Sequence, residues 1–225
     1  MNLLRLLKKL FSYFCPITLS KHSSAVSGTL ELTFRNGQLV LDTQNTNYSY
    51  GTVGYLLYYG LKQIGIGNIR AMQHILVLGV AGGSVLKTLV NRIGYCGKLT
   101  GVEIDPHIVQ IAKQYFQIDH LPNLQLVIAD AQQFVQNTTE RYDLIIVDIF
   151  QDNQMPDFLF TDTFVAHLMQ LLRPQGTVLM NTLCLTDHDA RRNRTFATRL
   201  EQHYSLKTFP KVEETNELFI IRPAQ

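Results

Sequence analysis

Four short stretches of the chain hold residue types able to do chemistry, and each closes an apolar run. The turn Gly79-Val80-Ala81-Gly82-Gly83-Ser84 continues the run ILVLG (75–79). Small residues let a backbone turn sharply and approach a ligand closely. The helix expected next presents free N–H groups and a positive dipole end, which suit a carboxylate or a phosphate. Turns of this kind also close folds that bind nothing, so this one gains meaning from its neighbours. Glu103 ends KLTGVE (98–103), about 20 residues further on, where an acid suits the two ribose hydroxyls of a nucleoside. The bland alternative is a solvated strand-end carboxylate. Asp105, just before Pro106, reads better as the N-cap of the next helix. Asp130, in ADAQQF, is placed either to accept a bond from the exocyclic amine of adenine or to cap a helix starting at 131. Asp148, in YDLIIVDIFQD, follows an apolar run and suits a carboxylate that orients or deprotonates an acceptor. Its alternative is again a cap.

These positions matter only if the elements bring them together. From His74 onward the pattern alternates. Strands are predicted at 75–79, 98–103, 124–129, 143–148 and 176–181. Helices are predicted at about 83–93, 106–116, 131–136, 161–172 and 187–202. The strands are continuous apolar runs, as expected when helices cover both faces of a parallel sheet. In such sheets ligands bind outside the carboxyl ends of the strands, where all four candidates fall. The tail predicts a hairpin of YSLKTFP (204–210) and ELFIIR (217–222). A doubly wound, mostly parallel seven-stranded sheet ending in a β-hairpin resembles the class I methyltransferase fold. Upstream, GTLELTF (28–34), the turn Asn36-Gly37 and QLVLD (38–42) predict a small hairpin. TQNTNYSY (43–50) is polar and is expected to be a loop, and residues 52–63 a helix ended by Gly65, Gly67 and Asn68. This divides the chain into an N-terminal segment, 1–50, and a catalytic domain, 51–225.

At the N-terminus Leu3, Leu4, Leu7, Leu10, Phe11 and Phe14 stand at helical spacing, with Arg5, Lys8 and Lys9 between them. Pro16 ends this amphipathic helix. The charges interrupt the apolar stretch, which argues against a secretion signal. The helix either packs on its own domain or a partner subunit, or lies on a membrane surface. Composition narrows the class further. The chain has 225 residues, 46% hydrophobic and 17% charged, enough for a real core. A net charge of +2 gives no reason to expect nucleic acid. Cys15, Cys96 and Cys184 are widely separated and form no CxxC pair, so they are expected to be buried free thiols of a cytoplasmic protein. His74, His107, His120, His167, His188 and His203 show no metal-ligand spacing, and no metal is expected. Arg191, Arg192, Arg194 and Arg199 are expected to form a solvated helix face rather than an anion site.

At this point the residues carry a resemblance. GVAGGSVLKTL, GVEIDPHIVQIAKQYF, ADAQQF and YDLIIVDIF, followed by MPDFLFTDTF and LLRPQGTVLMNT, resemble the spermidine synthase family. LDTQNTNYSY resembles its LDG…FSY segment, at the junction of an N-terminal β-domain and the catalytic domain. The resemblance implies a nucleoside–sulfonium donor, S-adenosylmethionine (SAM) or its decarboxylated form, lying along Gly79, Ala81, Gly82 and Gly83. It implies that Glu103 holds the ribose, that Asp130 holds the adenine, and that Asp148 is the catalytic aspartate. It also implies a homodimer formed through the N-terminal segment, the part of this chain that diverges.

The departures from the family matter as much. Where the family has Gly-Gly-Gly-Asp-Gly-Gly, this chain has GVAGGS, so the aspartate that holds the donor's aminopropyl amine is Gly82 here. A second family carboxylate, three residues after the catalytic one, is Gln151 here, with Asp152 one step further. A polyamine acceptor carries several ammonium groups and needs matching carboxylates. The favoured expectation is therefore methyl transfer from SAM to a small acceptor. Aminopropyl transfer from decarboxylated SAM is the alternative, and a non-catalytic nucleoside-binding relative the third reading. Asp148-Ile149-Phe150-Gln151 is not the Asn/Asp-Pro-Pro-aromatic run of methyltransferases that act on adenine or on glutamine amides.

Overall fold

The computed structural model describes residues 3–43, 47–49, 52–151 and 154–224. Asp152 and part of the 43–50 stretch lie outside them. Among the described residues the strands form two sheets.

The first sheet is antiparallel, with order β1-β2-β3-β4: β1 (Ile17–Ser24), β2 (Gly28–Arg35), β3 (Gln38–Thr43) and β4 (Asn47–Ser49). The predicted hairpin is its centre, with Leu32 facing Leu41 across the turn at Asn36-Gly37. Both turn residues have positive φ, 48° and 73°, as a tight two-residue connection needs. β1 was not expected. ITLSKHSS is too polar to read as a strand, and it forms as an edge strand with an irregularity between Thr18 and Ser20. β4 likewise occupies part of the expected loop. Leu30, Leu32 and Leu41 are buried with Leu56, Leu57 and Leu61 of α2 (Thr52–Ile64), so the small sheet and the large domain share a core. A short α3 (Ile66–Ala71) begins just past Gly65, where the sequence pattern marked only an end.

The second sheet has the order β10-β11-β9-β8-β5-β6-β7. Its parallel part is β5 (His74–Leu78), β6 (Lys98–Glu103), β7 (Leu124–Ile128), β8 (Tyr142–Val147) and β9 (Leu172–Leu183). β10 (Tyr204–Val212) and β11 (Asn216–Pro223) form the terminal antiparallel hairpin, with β11 against β9. Helices α5 (Pro106–Phe116), α6 (Ala131–Asn137), α7 (Asp162–Gln170) and α8 (Asp187–Glu201) fall where periodicity places them. Side chains alternate along each buried strand, so two separate apolar clusters form, one on each face. Ile75, Val77, Leu144, Ile146 and Leu179 belong to one; Leu76, Leu78, Ile145, Val147 and Met180 belong to the other. This is the expected α/β architecture.

Two expectations about the remainder are corrected. The helix expected at 83–93 is α4 (Ser84–Lys87) followed by a π-helical stretch, Thr88–Ile93, with one more residue in each hydrogen-bonded loop. The cysteines are not buried: Cys15 and Cys96 are exposed and Cys184 is half-buried. At Cys15 the chain is leaving an exposed helix, and at Cys96 it is in a surface connection.

Candidate functional site

Because β5 to β9 run parallel, their carboxyl ends share one edge of the sheet. Register decides which residues meet there. Leu78 pairs with Val102 and Val147, and Val147 pairs with Met180. The next residue on each strand or just past it is Gly79, Glu103, Asp148 or Asn181. The loops keep pairing beyond the strands: Gly79 N donates to Val102 O at 3.0 Å, and Asp148 N to Leu78 O at 2.8 Å.

Gly79 is fixed by that closeness. Its φ is 87°, and a Cβ there would lie 2.1 Å from the Asp148 carbonyl oxygen. Ala81 also has positive φ, 46°, and Gly83, at 80°, donates its N–H to Val80 O at 2.8 Å. Gly82 and Gly83 are buried. A Cβ on Gly83 would meet Ile118 Cγ2 at 2.4 Å, so the turn is tight because a helix connection lies against it.

Glu103 does more than end a strand. Its Oε2 accepts from Val80 N at 3.1 Å and Ala81 N at 3.0 Å, and its Oε1 from Asp105 N at 3.2 Å. The residue is 8% exposed, and burial pushes its carboxyl above the ordinary range against the pull of those N–H groups. Glu103 therefore shapes the glycine-rich turn. With three acceptor positions in use, a carboxylate keeps about one of its four lone-pair sites for a further donor. Asp105 is the N-cap of α5 as expected, accepting from His107 N at 2.9 Å. It is also fully buried and accepts from Ser24 Oγ, which ties β1 to the start of α5. Burial raises its carboxyl, but hydrogen bonds from Ser24, Ser27 and His107 outweigh that and leave it lowered. Asp130 caps α6, accepting from Gln133 N at 2.8 Å, and stays half-buried at the same sheet edge, so both readings of it are compatible with its position.

Asp148 lies one residue past β8, half-buried. Its Oδ1 accepts from Asn181 Nδ2 at 2.9 Å. Burial pushes the carboxyl up to about 6, and the Asn181 bond works against that. Asn181 is 2% exposed and is itself held, its Oδ1 accepting from Asn216 Nδ2 at 3.0 Å. Sequence reasoning missed both asparagines. The available signal was the polar Asn181 closing the apolar run GTVLMN beside a strand that ends in Asp148. Next to this pair, Asn193 donates to Thr182 Oγ1, Leu183 O and Glu217 Oε2, at 3.0 to 3.1 Å.

The arginine face is corrected in part. Arg191 and Arg194 are exposed, but Arg192 pairs with Asp189 at 3.0 Å and stacks 4.3 Å over the Phe160 ring. Arg199 donates to Phe160 O and pairs with Asp162. Their planar heads pack on aromatic surface as well as carrying charge. Among the described residues no group of three or more His, Cys, Asp or Glu is placed to hold a metal ion.

Comparison with known proteins bears on the whole arrangement. The spermine/spermidine synthase domain family matches residues 61–208. A polyamine aminopropyltransferase of Vibrio vulnificus is 30% identical over 141 residues, 60% of this chain and 46% of that protein. The chain thus spans about half the length of this curated relative. Among solved structures, spermidine synthase from Thermotoga maritima superposes with a TM-score of 0.70 at 15% identity, covering 93% of this chain and 74% of the other. Human methyltransferase-like protein 13 in complex with SAH gives 0.66 at 20% identity, covering 78% and 83%. At these identities the two structures speak to the fold, which is the class I methyltransferase-like one.

Proposed function

We propose, for a chain that belongs to the spermine/spermidine synthase family, a SAM-dependent transferase that moves a methyl group to a small acceptor. The observation that carries the methyl reading is the donor turn itself. Between Gly79 and Ser84 there is no acid, and the residue matching the family's amine-holding aspartate is the buried Gly82. A donor tail ending in a carboxylate meets no negative side chain there.

The turn also fits a donor nucleoside. Gly79 lets the Asp148 carbonyl pack directly against the turn, and Glu103 holds the Val80 and Ala81 amides, so that the loop is fixed before anything binds. In this reading Glu103 takes a ribose hydroxyl with its remaining acceptor site, and Asp130 faces the adenine. SAM supplies an electrophilic carbon on a sulfonium sulfur, and a nucleophile that attacks it must bring a free lone pair.

Asp148 provides for that. An alkyl ammonium has a pKa near ~10 and is mostly protonated at neutral pH. A carboxyl titrating near 6 is ionised at pH 7 yet far more basic than an ordinary aspartate. Asp148 takes the acceptor's proton on its free oxygen while Asn181 keeps the other oxygen in place. The new bond to carbon forms as the carbon–sulfur bond breaks, and the enzyme's further share is alignment.

A second reading is aminopropyl transfer from decarboxylated SAM, and the printed name of the Vibrio relative supports it. Calorimetric titration with SAM and with decarboxylated SAM separates the two. The methyl reading expects tighter binding of SAM; preference for the decarboxylated donor overturns it in favour of aminopropyl transfer. No heat with either donor, nor with S-adenosylhomocysteine, removes the whole proposal.

A further inference from the structure

The N-terminal helix α1 (Leu3–Phe11) is mounted the wrong way round for a helix that serves its own core. At 3.6 residues per turn, Leu3, Leu4, Leu6, Leu7, Leu10 and Phe11 share one side, and Arg5, Lys8, Lys9 and Ser12 the other. The polar side faces the domain. Ser12 is 2% exposed, its Oγ accepting from Gly37 N at 2.9 Å and its carbonyl from Asn36 N at 3.0 Å. Lys8 and Lys9 are half-buried. The apolar side faces out, with Leu3 70%, Leu10 54% and Phe11 60% exposed, and Phe14, just beyond, 89%. No residue of the helix is buried. The helix is thus pinned to the β2–β3 turn by its polar end, and its hydrophobic stripe is held up to whatever covers it.

We infer that this stripe docks on an anionic lipid surface. The charge around it makes the choice. Through Asp42 the described residues carry five Lys and Arg against two acids. Both acids are already used, Glu31 by Lys21 at 2.6 Å and Asp42 by Arg35 at 3.5 Å. Among the described residues no acid stands within ion-pair distance of Arg5, Lys8 or Lys9. The helix itself has no acid at all. Two copies meeting stripe to stripe would bring the flanking Lys8 and Lys9 of each together with no acid on either helix to offset them. An anionic bilayer offsets them instead. The apolar residues enter the acyl boundary, and the stems of Lys8 and Lys9, on the two flanks of the stripe, carry their heads toward phosphate level, while Arg5, opposite the stripe, lies 5.9 Å over the Tyr115 ring of the domain. One short helix with two flanking cations gives reversible, salt-sensitive attachment, not insertion. Phe11, Tyr13 and Phe14 place aromatic rings at the end nearest the body of the protein, where an amphipathic ring belongs.

The chain has no tryptophan, so Leu10→Trp supplies a single reporter on the stripe. The full chain carrying it is mixed with vesicles of phosphatidylcholine alone and of phosphatidylcholine with phosphatidylserine. Expected are a blue shift and co-sedimentation with the mixed vesicles, weak or absent with phosphatidylcholine alone and reversed by salt. In the otherwise unaltered chain, Leu7→Glu with Leu10→Glu should weaken co-sedimentation at least about tenfold while leaving the melting temperature unchanged, since both positions are exposed. Two results overturn the inference. One is no shift and no co-sedimentation with the anionic vesicles. The other is a lipid-independent shift that deepens with protein concentration and coincides with a dimer in sedimentation velocity, which assigns the stripe to a second copy.

Discussion

Replacing Asp148 by Asn tests the site without knowing the acceptor. The change keeps the shape and an oxygen for Asn181 to donate to, and it removes the ionisation. In the folded protein burial moves this carboxyl from 3.8 to about 6. The folded state therefore holds the proton more tightly than the unfolded chain does. The resulting stability is fully present below about pH 3.8 and is lost as pH rises through about 6. At about 1.4 kcal/mol per pH unit, the loss is roughly 3 kcal/mol, less whatever water reaching this half-buried group recovers. Asp148→Asn does not suffer the loss. Its stability relative to the parent should rise by up to about 2 kcal/mol between pH 4.5 and pH 8, which is about 4–8 °C in melting temperature for a chain of this size. Denaturation curves for both proteins at the two pH values measure it. A gap between variant and parent that is the same at both would show that Asp148 titrates like a surface aspartate. The argument that it is poised as a base would then fail.

Three further outcomes rest on the same geometry. Asn181→Ala removes the bond that favours the ionised form of Asp148. A bond to a charged group contributes about 1.5–3 kcal/mol, so the acid limb of a kcat/KM profile should move up by about one pH unit or more; a superimposable profile would make Asn181 mere packing. Glu103→Ala should weaken donor binding at least about tenfold and also cost about 2 kcal/mol of stability, because it orphans the Val80 and Ala81 amides. Titration and denaturation on one sample separate the two effects, and a stable variant with full affinity would refute both roles. Gly79→Ala should cost at least about 3 kcal/mol, from the collision with the Asp148 carbonyl added to left-handed strain. Gly28→Ala, equally left-handed but with nothing within 4 Å, should cost only about 1 kcal/mol. Equal costs, read from urea midpoints, would mean that the close approach at Gly79 carries no weight.

The parallel strands were legible because they are apolar on both faces and separated by helix-length spacers. That is why Gly79, Glu103, Asp130 and Asp148 can be placed on one edge from the sequence alone. Their bonding was not legible. Glu103 read as a ligand for ribose, whereas its carboxylate is first of all bound to the backbone of the turn, 22 and 23 residues back in the chain. Asn181 and Asn216 escaped notice because an asparagine carries no charge and only register shows what it faces. β1 escaped because an edge strand needs no apolar alternation when its partner supplies the core side. For α1 the spacing revealed two faces but not which of them would meet the domain. That was decided by one buried serine at its end.

The centre of the large sheet has a consequence for how the protein is made. β5 is completed on one side by β6, some twenty residues later, and on the other by β8, which arrives only with Tyr142–Val147. The glycine-rich turn after β5 takes its wall from the Asp148 carbonyl, and Asp148 is steadied through β9 by a side chain on β11, at Asn216. No prefix of the chain short of that last hairpin contains a finished site. Folding therefore waits on contacts far apart in sequence, which makes it slow and holds the site back until β11 has been made. Nascent chains arrested on the ribosome before Asn216 should stay open to protease at residues 79–83, and chains released whole should close there. Protection of that turn in the shorter chains would show that it is built early and on its own.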